Sequence, residues 1–460
     1  MKKIGFIAMS GVRAHNEELT KLGLTLPGFV DRNRIIASMP SLGLLTLAGL
    51  TPDNFAVEYR ELADLTRMEA LPEDYDLVAI SSFSAQMFEG YKVADFYRER
   101  GIPVILGGLH VSSLPEEAKE HATSVVVGEG EPLWPRVLAD FERGALKPFY
   151  RPLLHGSFDL RAAPMPRFDL LDPARYNRIT VQTSRGCPHK CEFCASSILL
   201  TSRYKLKPVE KVLAEIHAIK RIWPRPFIEF ADDNSFVHRE HYKTLLRSLV
   251  KERIRWFTEA DVNVAQDGEL LGLMRDSGCQ QVLIGLESPR QASLDGMDLN
   301  GNWKMRQQDR YKSAIEKIQS YGITVNGCFI LGLEADTPEI FDQVLQFVRE
   351  SGLYEVQVTF LTAFPNTPLY HRLKAEGRII RDQAWHLCTL FDINIQPKNM
   401  GTGELQSGFL RLVKVLYSAE ETHQRRQQFW KQLRTSPNFR LRERKHMVLN
   451  AKSHEVFAVA

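Results

Sequence analysis

From residue 2 onward the chain alternates short runs rich in Val, Ile, Leu and Phe with longer stretches of helical period, and this alternation constrains it to a parallel α/β architecture. Residues 2–9, 56–62, 77–82, 103–107 and 124–127 read as a first series of strands, separated by helical patterns such as 87–100 and 115–121. That order predicts a doubly wound parallel sheet over 1–150, covered by helices on both faces. A second series at 178–183, 227–231, 256–259, 281–286, 324–331 and 355–361 alternates with helical patterns at 208–222, 239–251, 267–276, 309–320 and 337–350. It predicts a partial (β/α)6 barrel over 171–390. Residues 151–170, in a stretch rich in Pro, Arg and Phe, read as a linker, and 391–460 as a small helical region. A chain of 460 residues, 44% apolar and 25% charged, is long enough for two or three cores. In both architectures ligands bind beyond the carboxyl ends of strands. The segments of interest are therefore loops 10–16, 81–86, 107–110 and 128–131, and the residues that follow each barrel strand.

Directly after the first barrel strand stands Ser184-Arg-Gly-Cys-Pro-His-Lys-Cys-Glu-Phe-Cys194, with three cysteines in eleven residues. Thiolates at Cys187, Cys191 and Cys194, spaced C-x-x-x-C-x-x-C, suit three corners of a 4Fe-4S cluster and leave one iron open to an exogenous ligand. The alternatives are a zinc site with His189 as a substitute fourth ligand, or a chance spacing. The other cysteines, Cys279, Cys328 and Cys388, are isolated among apolar residues and read as buried core thiols. No apolar run reaches the roughly 18 residues of a membrane span, and the amino terminus leads straight into a strand pattern instead of a signal peptide. A cytoplasmic protein is expected, and a formal charge of +3 gives no electrostatic argument for nucleic acid.

Other strand ends carry weaker signals. Phe230-Ala-Asp-Asp-Asn-Ser-Phe236 gathers carboxylates and amides that suit an ammonium or hydroxyls, or equally an Asx cap on the next helix. Gly285-Leu-Glu-Ser288 sets a carboxylate and a hydroxyl beside a glycine, either as ligand contacts or with Glu287 in a barrel-mouth ion pair. In the first half, Ser81-Ser-Phe-Ser-Ala-Gln86, Gly107-Gly-Leu-His110 and Gly128-Glu-Gly-Glu131 offer close backbone approach to a large ligand, or simply tight turns.

The aromatic Phe193 before the last cysteine, and the place of the motif after an apolar strand, closely resemble the radical S-adenosylmethionine (SAM) superfamily. The resemblance implies that the open iron binds the amino and carboxylate groups of SAM. An electron from the cluster would then cleave SAM to a 5'-deoxyadenosyl radical, which takes a hydrogen atom from substrate. By the same resemblance Phe193 is a cofactor contact, Asp232 and Asp233 lie near the SAM amino group, and Glu287 and Ser288 lie near its ribose and methionine. The strand Val325-Asn-Gly-Cys-Phe-Ile-Leu-Gly-Leu333 would lie near adenine, though its apolar residues serve equally as core.

The strings Pro40-Ser-Leu-Gly-Leu-Leu-Thr-Leu-Ala, Ile105-Leu-Gly-Gly-Leu-His, Leu114-Pro-Glu-Glu-Ala and Val127-Gly-Glu-Gly-Glu, in that order, resemble the Rossmann-like cobalamin-binding domain that precedes many radical SAM cores. This implies cobalamin contacts at Ser82, Ser84, Gly107, Gly108, Gly128 and Glu129. The D-x-H-x-x-G string that supplies a histidine to cobalt in mutases does not follow the first strand. His15 lies in that loop without its Asp and Gly context and reads as a surface residue, so cobalamin is expected base-off with no histidine on cobalt. Methylthiotransferases carry cluster cysteines in their N-terminal domain, and residues 1–150 hold none, which sets that architecture aside.

Together the resemblances imply a cobalamin-dependent radical SAM methyltransferase acting on an unactivated carbon of a small-molecule, lipid or tetrapyrrole substrate. The enzymatic alternative keeps both cofactors and performs ring formation, rearrangement or oxidation. The alternative of another class is a non-catalytic cobalamin or cluster sensor. A hydrophobic small molecule and a one-electron donor such as flavodoxin or ferredoxin are the expected partners. From 401 to 460, 11 Lys or Arg stand against 5 Asp or Glu, with Phe429, Trp430 and Leu433 among the charges. This reads as a solvated helix over a core, or as a peripheral contact with anionic lipid or an acidic substrate.

Overall fold

The computed structural model describes residues 1–22, 39–67, 70–152, 158–196 and 203–439. It divides into two compact units, one of residues 1–15, 35–233 and 362–395, the other of 16–34, 234–361 and 396–460. The basic residues beyond 439 that contribute to the C-terminal charge excess lie outside the described residues, as do 153–157 of the expected linker.

In the first unit, β1 (Lys2–Met9), β2 (Phe55–Leu62), β3 (Leu77–Ser82), β4 (Val104–Gly107), β5 (Ser124–Val126) and β6 (Phe149–Tyr150) form a parallel sheet in the order β2-β1-β3-β4-β5-β6. Successive side chains serve opposite faces, because the strand period is two. Ile4, Phe6 and Ala8 of β1 join Leu77 and Ala79 of β3 under Trp134 and Val137 of the helix Trp134–Glu142. Ile7, Met9, Val78 and Ile80 face the other way, against Met87, Tyr91 and Ala94 of the helix Met87–Glu99. A strand buried on both faces needs the continuous apolar run seen in the sequence, and each buried Ile or Val contributes roughly 1.5–3 kcal/mol. β6 is not among the strands expected from the sequence, because two residues are too few to show a period.

The second sheet is β7 (Ile179–Val181), β10 (Phe227–Ser235), β11 (Arg255–Ala260), β12 (Cys279–Glu287), β13 (Thr324–Leu331) and β14 (Glu355–Phe360), ordered β14-β13-β12-β11-β10-β7. A separate two-stranded antiparallel ladder joins β8 (Ser184–Arg185) to β9 (Lys205–Leu206). The pairings β7–β10, β11–β12, β12–β13 and β13–β14 are parallel, and the helices Val209–Ile222, Arg239–Leu249, Gly268–Asp276, Tyr311–Gln319 and Ile340–Ser351 alternate with the strands. β10 runs four residues beyond the expected 231, which carries the Asp-Asp-Asn-Ser segment into the strand. The next helix is preceded by His238 with no side-chain cap, so the Asx-cap alternative for that segment is not what forms.

In the second unit the helices Thr402–Leu416 and Ala419–Thr435 close the C-terminal region. Gly408 lets the first lie flat on Phe341, since a Cβ there would sit 2.1 Å from that ring. Phe429 and Leu433 of the second are buried with Phe439 against Tyr354, so its apolar stripe covers core. Among the described residues no helix is long and apolar enough to cross a membrane.

Candidate active site

The three-cysteine loop begins where the β8–β9 ladder ends. Cys191 is buried and Cys187 and Cys194 are half-buried; none is in a disulfide. The backbone N–H of Cys194 donates to the Cys191 carbonyl at 3.0 Å, a turn that folds the end of the motif back on itself. The base of the loop is held by the two carboxylates at the end of β10. Asp232 accepts from the N–H groups of Thr183 and Ser184, each at 2.8 Å, and from the Thr183 hydroxyl. Asp233 accepts from the N–H of Gly186 at 2.7 Å and from the Ser196 hydroxyl. Gly186 has φ 94°, a conformation glycine adopts without strain. Arg372 pairs with Glu192 at 2.7 Å, and the N–H of Leu369 donates to the Glu192 carbonyl at 3.0 Å.

Among the described residues no three His, Cys, Asp or Glu side chains converge on a single ion, as a mononuclear zinc site requires. A cubane makes no such demand, because each of its irons takes one thiolate. Three thiols on one pinned loop are a donor set that fits three of its corners. Asp232 and Asp233, expected beside the SAM amino group, are brought together on the loop that carries these thiols. Phe193 is half-buried within it.

At the carboxyl edge of the first sheet, Ser81 and Gly107 are register partners. Gly108 has φ 111°, and a Cβ there would lie 2.9 Å from the Ser81 hydroxyl, whereas one at Gly107 would meet nothing nearer than 3.8 Å. The Ser112 hydroxyl donates to the Gly108 carbonyl at 2.8 Å and accepts from the N–H of Gly128 at 2.8 Å, so one side chain stitches two of the expected ligand loops together. Ser82 donates to the Phe83 carbonyl, and Ser84 meets His110 at 3.1 Å. His110 is fully buried, with Glu117 on its other nitrogen at 3.1 Å, and was not singled out by sequence reasoning. Phe83, on the loop after β3, is 60% exposed. An exposed aromatic ring and side-chain-free glycines at one sheet edge suit a broad, partly apolar ligand such as cobalamin.

Glu129, expected as a cobalamin contact, is engaged by protein groups. It is buried, and one carboxylate oxygen accepts from Arg185 and Lys205, each at 2.7 Å, while the other accepts from the N–H of Phe158 at 3.0 Å. Burial alone would raise its pKa, but Lys205, the Phe158 amide and Arg185 outweigh it and hold the carboxyl below its ordinary value. Glu131 takes the other arm of Arg185 at 2.6 Å. His15 is exposed, with its ring edge-on to His386 at 5.2 Å and its backbone N–H on Asp392.

In the second unit Glu287 ends β12 with φ 62°, where the register shifts between Gly285 and Glu287. A non-glycine residue in this conformation costs of order 1–3 kcal/mol and marks functional sites often enough to be a pointer to one. Its carboxylate folds back over Gly285, whose missing Cβ would lie 2.4 Å from it, and pairs with Lys304 at 2.5 Å. The ion-pair alternative for Glu287 is therefore realised. Lys304, from the helix Trp303–Gln307, also donates to the Gly285 carbonyl at 3.0 Å; a separation of 17 residues hid it from sequence reasoning. Ser288 is fully buried and accepts from the Arg290 N–H at 3.1 Å. Cys279 and Cys388 are buried, as expected, and Cys328 is partly buried. Burial, and next the neighbouring Glu287 carboxylate, push the Cys328 thiol well above its ordinary pKa.

Three thiols on a loop at a strand end and a parallel sheet with a glycine-lined edge define a cluster-binding protein with a Rossmann-like companion domain. Residues 181–348 match the radical SAM superfamily, 34–138 a B12-binding domain, and 367–459 a domain of unknown function. The chain is 30% identical over 371 residues to the uncharacterized methyltransferase sll1242 of Synechocystis sp., covering 78% of this chain and 67% of that one. It is 27% identical over 398 residues to bacteriochlorophyllide d C-12(1)-methyltransferase of Chlorobaculum tepidum, covering 85% of each. Its fold is shared with the radical SAM methyltransferase TsrM of Kitasatospora setae, with cobalamin and a [4Fe-4S] cluster bound, at a TM-score of 0.65 and 15% identity over 92% of this chain and 90% of that one. The chain belongs to the radical SAM enzymes that carry a B12-binding domain.

Proposed function

We propose that this enzyme is a cobalamin-dependent methyltransferase that modifies an unactivated carbon of a small, largely apolar substrate, with hopanoid-like lipids and tetrapyrroles as the first classes to test. The observation that carries the reading is the conjunction, in one chain, of a pinned three-thiol loop with a glycine-lined sheet edge that has no cysteine in residues 1–150. When bound, the cluster with SAM supplies a hydrogen-abstracting radical and cobalamin supplies a transferable methyl group.

The protein's own part is to hold and orient these groups. Cys187, Cys191 and Cys194 would ligate three irons, with Asp232 and Asp233 fixing the backbone that presents them. Phe193, Glu287 and Ser288 are proposed SAM contacts, Glu287 being oriented by Lys304. Gly107, Gly108 and Gly128, with Ser82 and Ser84, would form the cobalamin shelf. We place the enzyme in the cytoplasm, supplied with electrons by a flavodoxin or ferredoxin. Peripheral lipid contact through the basic C-terminal region is a further proposal.

The test is anaerobic reconstitution with iron, sulfide and cobalamin, followed by comparison of extracts from cells with and without the gene for a metabolite heavier by one CH2. Turnover should form S-adenosylhomocysteine and 5'-deoxyadenosine in about equal amounts per methylated product, because one SAM supplies the methyl group and another the radical. A transformed substrate with deoxyadenosine but no S-adenosylhomocysteine above background would replace methylation with cyclisation or oxidation.

A further inference from the structure

The loop that carries Cys187, Cys191 and Cys194 is closed at its base by the two-residue β8–β9 ladder, in which Arg185 stands directly opposite Lys205. Like charges directly opposite on a ladder repel. The ladder therefore needs an anion at that point, and the one provided is Glu129, whose single oxygen Oε1 accepts from both cations at 2.7 Å. Glu131 takes the remaining arm of Arg185, and Gln182 accepts from the same guanidinium at 2.9 Å. Both carboxylates belong to the Gly128-Glu-Gly-Glu131 loop, and its Gly128 is tied through Ser112 to Gly108. On the other side, Gly186, between Arg185 and Cys187, is fixed by Asp233. Hydrogen bonds joined by single peptide links thus run from the glycine shelf to the root of the cysteine loop, all within the first unit.

We propose that Glu129, assisted by Glu131, is a positioning clamp on the base of the cluster loop, through which occupation of the glycine shelf and assembly of the cluster are energetically coupled. The inference rests on the cofactor reading above. Glu129 is not a cobalamin contact in this account: its two oxygens are committed to Arg185, Lys205 and Phe158, and its action on cobalamin passes through the loop. Coupling is reciprocal, so whatever shift the cluster causes in cobalamin affinity, cobalamin causes in cluster retention.

The test titrates hydroxocobalamin by its absorbance into the full-length protein, iron-free and cluster-loaded, for the wild type, Glu129→Gln and Lys205→Met. The wild type should show dissociation constants that differ between the two forms by about fivefold or more. Both variants should bring that ratio close to one while leaving affinity for the iron-free form unchanged. A wild-type ratio near one, or a ratio that persists in a folded variant, overturns the clamp. Weakened binding to iron-free Glu129→Gln, with Lys205→Met unaffected, would make Glu129 a direct cobalamin contact and also overturn it. Should Glu129→Gln fail to fold, Lys205→Met alone decides, since it loosens the same ladder from its other side. A wild type that takes up neither cluster nor cobalamin would instead remove the cofactor reading itself.

Discussion

Replacing Asp232 tests whether the cysteine loop is held from β10. Its carboxylate serves two backbone N–H groups and one hydroxyl, and the residues that present them, Thr183 and Ser184, are fully buried. Water cannot take over at such a site without opening it. In Asp232→Ala the Thr183 hydroxyl can turn elsewhere, but two buried N–H groups are left without acceptors, at about 1–3 kcal/mol each, or about 2–6 kcal/mol in all. Asp232→Asn keeps an amide oxygen for both N–H groups and turns its NH2 toward a hydroxyl that can accept, so its loss should be about 1 kcal/mol, from the weaker neutral hydrogen bonds. Urea midpoints followed by circular dichroism, with iron per chain after reconstitution, check both. The expected order is wild type, Asn, Ala in each measurement, with Ala falling furthest. An Ala variant within about 0.5 kcal/mol of the wild type and with unchanged iron would refute the account of how the loop is held.

Single Cys187→Ala, Cys191→Ala or Cys194→Ala changes should abolish formation of 5'-deoxyadenosine and lower iron content, while Cys279→Ser and Cys388→Ser should cost only packing, roughly 1–3 kcal/mol, with cluster absorbance intact. Gly108→Ala must hold an L side chain at φ 111° and against Ser81; it should lose about 1–3 kcal/mol and retain less cobalamin on gel filtration. Gly144→Ala, with open space around it, should keep cobalamin binding unchanged. Asp336 accepts from the N–H groups of Gly332 and Leu333 and from Ser293, yet burial outweighs these bonds and pushes its pKa from an ordinary 3.8 up to about 6. A group raised in the folded state contributes stability that is complete below the unfolded pKa and is lost as pH rises through the folded one. Asp336→Asn, which keeps acceptors without the charge, should therefore gain on the wild type by up to roughly 3 kcal/mol at pH 7.5, with the gap narrowing by pH 5; equal denaturation midpoints at both pH values would contradict this.

The fold was largely open to reading because its signals are local. A strand buried on both faces shows itself as an apolar run, and the expected 2–9, 77–82 and 324–331 coincide with β1, β3 and β13. Where the local signal thinned, reading failed: β6 is two residues long, and the end of β10 looks like loop because its side chains are polar, with Asp232 and Asp233 serving the cysteine loop and not a core. The cysteine spacing was legible for the same reason, since three thiols within eleven residues need no knowledge of tertiary contacts to suggest one cluster.

The roles of the charged residues were decided only in three dimensions. Glu129 was expected as a cobalamin contact from the resemblance of Val127-Gly-Glu-Gly-Glu to a cobalamin-binding domain, and only the fold shows its pairing with Arg185, 56 residues away, and Lys205, 76 residues away. Glu287 likewise was visible as a carboxylate beside Gly285, but Lys304 and the left-handed backbone at Glu287 were not. Period and spacing are set by covalent geometry, which a sequence contains in full. An ion pair depends on where two distant segments come to rest, and a carboxylate's neighbours determine whether it binds a ligand, clamps a loop or orients another side chain.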